Sequence, residues 1–467
     1  VNHTISGIHP RVAKLRTMAS FLMVLLSCAL LQGGEPDQLL PIDSIYLSSI
    51  DDFYENAAMV KDEIWEGMQL APACLYRVNG PALLYDHPSP PESFIKVSDR
   101  LYHGVQKELQ LFGATQMEIN GVITAIVDYG NDFFSNKEEV LAILFHELHH
   151  VYQRRGMKQI KPDDPAVLMV YPENVKNDAL KLYEQETLYQ LCFENDEKQF
   201  QKLLNQFYSC RLEREQIIGD FLEYEKRVEN IEGPAFYCEY RYYNQSPSIS
   251  EALKSNYNEK YFFAPLTTPY YGRNNLRGRH LASGMAMCFI LDSYYLHWQK
   301  EYYAQDLPLY DFFISRFTPQ KEEIEIDPNY YRISEFHTNR AISAHRNSFQ
   351  NFINQPGVKI TLRFKQTPQF RGFDPMHAES INDSTVLHKT FLRLAGRKKD
   401  EIFISDNNTA TIIDKKIWFV KEVILFAPGD RISTADDRIE IDQEGKKVSW
   451  SGTLAVRNEE EMLFLCD

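Results

Sequence analysis

From about Pro36 to Asn354, apolar residues recur at spacings of three and four among charged ones, the period of helices with one face turned inward. The pattern predicts helices over Ser49–Met68, Ser98–Phe112 and Lys137–Arg155, and two long helical stretches over about Asn174–Glu194 and Asp196–Asn230. One segment among them differs. Gly121–Tyr129 is rich in β-branched residues and ends in Gly130-Asn131-Asp132, so a strand and a turn are expected immediately ahead of a helix. Ser283–Leu296 is apolar but short and interrupted by Asp292, which reads as a buried helix rather than a membrane span. After Gln355-Pro356-Gly357 the pattern becomes one of short alternating runs. Val358–Phe364, Glu401–Ser405, Thr409–Ile413, Lys416–Phe426, Arg438–Ile441, Lys447–Ser451 and Glu461–Leu465 are expected as strands, with turns at Asn407-Asn408, Pro428-Gly429-Asp430 and Glu444-Gly445. The fold class expected is α+β: a mainly helical domain over 35–354, with a helical insertion at about 174–230, then a small all-β, sandwich-like domain over 355–467.

Composition narrows the classes of function. With 25% charged and 44% hydrophobic residues among 467, the chain is neither disordered nor collagen-like. Its formal charge of −15 offers no general attraction to phosphate backbones, so no nucleic-acid partner is expected. The N-terminal segment reads as a signal peptide over 1–34. Arg11, Lys14 and Arg16 precede the apolar run Ala19–Leu31, which is too short to span a bilayer but suits an export signal. Within it Leu25-Leu26-Ser27-Cys28 resembles a bacterial lipobox, in which the cysteine is lipidated; the alternative is cleavage near Gly33-Gly34 and release. The protein is therefore expected outside the cytoplasm, secreted, periplasmic or lipid-anchored, with membrane contact only through that anchor. Removing residues 1–27 takes away three positive charges and no negative ones, leaving −18. The six cysteines beyond Cys28 contain no CxxC pair, and their spacing selects no disulfide pairing.

The sharpest chemical signal is Leu144-Phe145-His146-Glu147-Leu148-His149-His150, an HExxH inside the helix expected over Lys137–Arg155. Four helical residues turn through about 400°, so His146 and His150 leave from nearly one face, one turn apart, where both imidazoles reach one tetrahedral metal. Glu147 is placed to reach a metal-activated water without being a ligand. Zinc lowers the pKa of such a water, and a carboxylate takes its proton as it attacks a carbonyl. Leu141, Ile143, Leu144 and Leu148 imply a largely buried helix, which argues against a solvated charged face. Glu147 with His150 also spells ExxH, the di-iron pattern of ferritin-like bundles, but that architecture needs a second ExxH and the chain has none. His149 is expected behind the ligands or at the surface.

Two histidines leave a catalytic zinc short of a third protein ligand. Downstream, Asn230-Ile231-Glu232-Gly233-Pro234-Ala235-Phe236-Tyr237-Cys238-Glu239 resembles the EGxAxYxE segment of the gluzincin metallopeptidases, the HExxH…E zinc enzymes of thermolysin and aminopeptidase type, above all their aminopeptidase and glycyl-aminopeptidase branches. The resemblance implies a zincin-like domain, Glu232 as third zinc ligand and Glu239 as the later acid of the segment. Pro234 is expected in the first turn of a new helix. Gly284–Asp292 resembles the Gly-led apolar helix that follows the ligands in that group. Three residues before that glycine, where the family has its transition-state tyrosine, stands Leu281. His280 is the candidate replacement donor to the tetrahedral oxyanion, with Arg279, Tyr270 and Tyr271 as alternatives. A second departure is the 81 residues between His150 and Glu232, a helical insertion that would cap the cleft and restrict substrates. The family's exopeptidase motif has only a loose echo in Gln116–Asn120.

These readings combine into one expectation: an exported zinc-dependent peptidase with one Zn2+ per chain. His146, His150 and Glu232 would bind the metal, Glu147 would act as general base, and peptides or proteins would be the substrates. Leu281 favours the alternative of an inactive surface protein that binds a partner through a peptidase scaffold, and a zinc hydrolase of another amide or ester is a third reading.

Overall fold

Helix α1 (Pro41–Ile64) opens the described chain, with Pro41 in the first turn where its missing N–H is harmless. The computed structural model describes residues 40–467 other than 110, 112, 132, 157–166, 168–170, 269–275, 306, 374–377, 383, 398, 406, 415–418, 436 and 444. The expected signal peptide with Cys28, and the alternative donors Tyr270 and Tyr271, lie outside the described residues. Asp43 pins α1 to the first sheet, accepting from Leu40 N (2.6 Å), Arg77 Nη2 (3.0 Å) and Tyr129 Oη (2.8 Å).

That sheet has six strands: β1 (Ala73–Tyr76), β2 (Pro81–Tyr85), β3 (Ile95–Lys96), β4 (Leu101–Val105), β5 (Thr115–Ile119) and β6 (Val122–Asp128), in the order β3-β4-β2-β1-β6-β5. Only β1 and β6 run parallel, with Ala73 opposite Ala125. The strand expected over 121–129 is β6, and it does lead into a helix, α2 (Lys137–Gly156). The helix expected over Ser98–Phe112 is instead β4 followed by one turn of helix, because Leu101–Val105 pairs along its whole length with β2. Short apolar runs do not distinguish the two periods, and pairing with a neighbouring strand decided this one.

The remaining long helices are α3 (Val175–Phe193), α4 (Glu197–Ile218), α5 (Phe221–Gln245), α6 (Leu276–Tyr294) and α7 (Pro328–Ile353). Ser283–Leu296 falls largely in α6, which is buried, and no described helix is long and apolar enough to cross a membrane. The stretch expected as continuous over Asp196–Asn230 breaks at Gly219, whose φ of +53° ends α4 in a conformation costly for residues with a Cβ. Pro234, expected at a helix start, lies within α5. There the chain is held by its neighbour: a Cβ built on Gly233 would lie 2.5 Å from Gly284 Cα, so α5 and α6 touch backbone to backbone. The same core takes in Leu188 and Leu191 of α3 and Leu204 and Phe207 of α4, so the segment 174–230 is built into the helical body.

Beneath these helices lies a buried ion network. Glu184 of α3 accepts from Arg211 Nη2 (2.6 Å) and Arg214 Nη1 (2.8 Å) of α4; Arg211 Nη1 also reaches Glu229 of α5 (2.8 Å), and Arg214 Nη2 reaches Glu225 (2.5 Å). Lys181 joins Glu184 at 2.9 Å, and each of these side chains is 1% exposed or less.

The C-terminal part is β-rich, as expected. Its strands are β7 (Val358–Phe364), β8 (Gln369–Phe373), β9 (Ala378–Ser380), β10 (Thr385–His388), β11 (Phe391–Ala395) and β12 (Glu401–Ser405), followed by β13 (Thr409–Asp414), β14 (Phe419–Ala427), β15 (Ile432–Ala435), β16 (Arg438–Gln443), β17 (Lys446–Arg457) and β18 (Glu461–Cys466). The main path runs β8-β11-β12-β17-β18-β7-β14-β13-β10-β9, and β17 also pairs with β16. Alternate residues such as Ile360, Leu362 and Phe364 enter one core with Trp450 and Phe464. On another face Phe352 of α7 meets Phe426 of β14, ring centroids 5.3 Å apart, while Thr338 of the same helix bonds Asp178 of α3 (3.2 Å). The architecture is α+β, a helical body followed by a β-rich domain.

Candidate metal centre

Helix α2 is well started and well ended. Asn136 accepts from Glu139 N (3.0 Å), Glu139 accepts from Ser135 N (2.8 Å), and acids in the first turn and Arg154 and Arg155 in the last complement the helix dipole. His146, Glu147 and His150 lie in its buried middle at 6, 6 and 7% exposure. Helix α5 crosses this face and brings in Glu232, 5% exposed. His146 Nε2 and His150 Nε2 stand 3.0 Å apart, and Glu232 Oε2 lies 3.5 and 3.4 Å from them. A tetrahedral metal with bonds of about 2.0–2.1 Å needs donors roughly 3.3 Å apart, and this triangle has that size. The buried His146–His150–Glu232 group is thus one that could hold a metal ion.

The chemistry of the donors agrees with their spacing. His146 Nδ1 lies 2.9 Å from Glu239 Oε2, and His150 Nδ1 lies 2.8 Å from Gln153 Oε1. Gln153 is oriented by its own N–H to Ile231 O (2.9 Å), and Glu239 by the Tyr261 hydroxyl (2.6 Å). Both acceptors place the ring proton on Nδ1, which leaves the two Nε2 lone pairs facing one another. Lone pairs so close repel unless a cation, a proton or a metal ion, sits against both. The titration of these side chains follows from this. Burial alone would lower His146, but the carboxylates of Glu232 and Glu239 outweigh it and carry its pKa up to about 10. His150 is raised too, Glu232 overcoming the effect of burial. Against its own burial, Glu232 is held well below the usual carboxylate range, chiefly by Arg277 and then by His150. Glu147 is pushed up by burial, partly offset by the two imidazoles.

The other sequence candidates lie elsewhere. His280, the candidate oxyanion donor, is fully buried, its Nδ1 3.9 Å from Glu225 and 4.0 Å from Glu229, against the ion network. Arg279 is equally buried and faces Asp178 at 3.8 Å. Leu281 is core, 1% exposed. His149 is neither at the surface nor against the Nδ1 atoms of His146 and His150, but packs edge-on to Trp65, centroids 4.6 Å apart. Tyr242 of α5 packs against the same helix, stacking on Phe145 at 4.7 Å.

Two contributors escaped the sequence reading. Gln153 stands one helical turn beyond His150, so spacing alone could have found it. Arg277 of α6 donates from Nη2 to Glu232 Oε1 at 2.5 Å, and no local pattern announces it. Compared with protein-family models, curated proteins and solved structures, the chain finds no match in any of the three.

Proposed function

We propose that the chain is an exported zinc-dependent peptidase in which His146, His150 and Glu232 bind one Zn2+ and Glu147 is the general base. The reading is carried by one observation, the convergence of three buried donor atoms within 3.5 Å of one another on two helices far apart in sequence. Two imidazoles and a carboxylate are a donor set suited to zinc, with a position left open for substrate or water. Bound zinc would supply a Lewis acid that acidifies water and polarises the carbonyl of a peptide bond. Glu147 then takes the proton of the attacking water on its carboxylate and delivers it to the departing amine nitrogen. Glu239 and Gln153 hold the imidazoles in the tautomer and direction that this requires.

Protein expressed in zinc-replete medium is expected to carry about one zinc per chain and to cleave members of a peptide library read by mass spectrometry. Glu147→Gln should keep the metal and lose hydrolysis by about two to four orders of magnitude. A chain that takes up no zinc, or undiminished cleavage in that variant, overturns the reading. Leu281 at the position of the family's tyrosine favours a second reading, an inactive surface protein that binds a partner through the same scaffold, and hydrolysis of another amide or ester is a third. The same digest, repeated with amide and ester panels, separates these.

A further inference from the structure

The guanidinium of Arg277 meets the candidate centre through Glu232. Glu232 divides its two oxygens: Oε2 lies 3.5 and 3.4 Å from the imidazole nitrogens, and Oε1 accepts from Arg277 Nη2 at 2.5 Å. Both side chains are largely enclosed, 13% and 7% exposed, so solvent screens the pair only weakly. A carboxylate next to a metal can bind through one oxygen or both, and a charged hydrogen bond to one oxygen removes it from the competition. The guanidinium also changes the charge. A divalent ion with two neutral imidazoles and one carboxylate carries one net positive charge, and the guanidinium of Arg277 adds a further positive charge beside Glu232, opposed by the acids Glu239 and Glu147 at the same centre.

We propose that Arg277 is a positioning residue that fixes Glu232 as a one-oxygen ligand and, by neutralising it, makes the centre a stronger acceptor of anionic ligands. The inference rests on the metal-centre reading above. It implies that an anion, whether a substrate carboxylate or the charge that develops on an attacked carbonyl, is drawn to the metal without any donor at position 281.

The test uses cobalt(II) in place of zinc, because its visible absorption is strong in four-coordinate sites and weak when a further ligand binds. The full chain, Arg277→Met and Arg277→Gln are loaded with cobalt and titrated with azide. Glutamine drops the charge and, being two bonds shorter, keeps an N–H that reaches Oε1 through a bridging water; methionine loses both. Arg277→Gln is expected to keep the four-coordinate spectrum and to bind azide at least about tenfold more weakly, the effect of removing one unit charge a few ångströms away. Arg277→Met should show the same weakening and a several-fold loss of absorption as Oε1 turns to the metal. Should the methionine variant not fold, as circular dichroism would report, the glutamine variant still decides the charge. Unchanged azide affinity in Arg277→Gln, with about one cobalt bound per chain, overturns the inference and leaves the metal centre standing. Failure of the unsubstituted chain to bind cobalt or zinc overturns both.

Discussion

At the scale of single residues, the two imidazoles are held from behind as firmly as from the front. Glu239 meets His146 Nδ1 at 2.9 Å and is itself fixed by Tyr261, so the ring cannot turn without breaking a buried hydrogen bond to a carboxylate that is held in place. Such partners behind metal ligands are generally worth about 10- to 100-fold in affinity. Glu239→Gln is therefore expected to bind zinc about 10- to 100-fold more weakly. Competition with a chromophoric chelator measures this, and an unchanged affinity would show that the contact contributes nothing. How far the site was legible follows the distance between its parts. His146 and His150 stand four residues apart on one helix, so spacing alone predicted their common face, with Glu147 one position on. Glu232 and Glu239 were reachable only through the resemblance of Glu232–Glu239 to a known segment. Arg277 was invisible because its role comes from the crossing of α6 over α5, which neither helix encodes by itself.

Among the elements, the contact of α5 with α6 governs where Glu232 stands. Gly233 follows Glu232 directly and touches Gly284, where a Cβ would lie 2.6 Å from Gly233 Cα and 2.6 Å from Glu229 O. Both are backbone atoms, which cannot rotate aside. Gly284→Ala should force the helices apart, lowering stability by about 1–3 kcal/mol despite alanine's better helix propensity. Thermal unfolding with and without zinc checks it, and a smaller stabilisation by zinc in the variant is expected because Glu232 moves with its helix. The elements themselves were unevenly legible. Lys137–Arg155 and Asn174–Glu194 were predicted nearly to their ends, since long amphipathic runs leave little ambiguity. Leu101–Val105 was not, because it joins a sheet whose strands β1 and β2 gave no signal of their own. Pro234 pointed to a helix start, yet α5 runs through it where tertiary packing outweighs the cost of one lost hydrogen bond.

Across the whole molecule, the ion network and the β-rich domain set how the protein responds to its surroundings. Burial alone would raise Glu184 and Glu225, but Arg211, Arg214 and Lys181 around the first, and Arg214 and Lys181 around the second, take both well below the ordinary 4.5. The stability they contribute is fully present above about 4.5, where the unfolded carboxylates are also ionised, and is lost as pH falls from there towards the folded values. Burial likewise holds His280 well below its usual 6.5, so protonation of the unfolded chain below that pH adds in the same direction. The denaturant midpoint is expected to drop steeply between pH 4.5 and 3, and a midpoint flat across this window would show the network to be indifferent to acid. A different consequence follows from β18, which lies between β17 and β7 and runs parallel to β7. Lys359 and its partner Glu461 are 102 residues apart, so during synthesis β7 leaves the ribosome long before its neighbour exists. For that interval the nascent sheet has an open apolar edge, while the helical body ahead of it is already complete. Chains arrested before residue 461 should consequently be clients for chaperones and proteases in their last quarter alone, with His146, His150 and Glu232 already brought together.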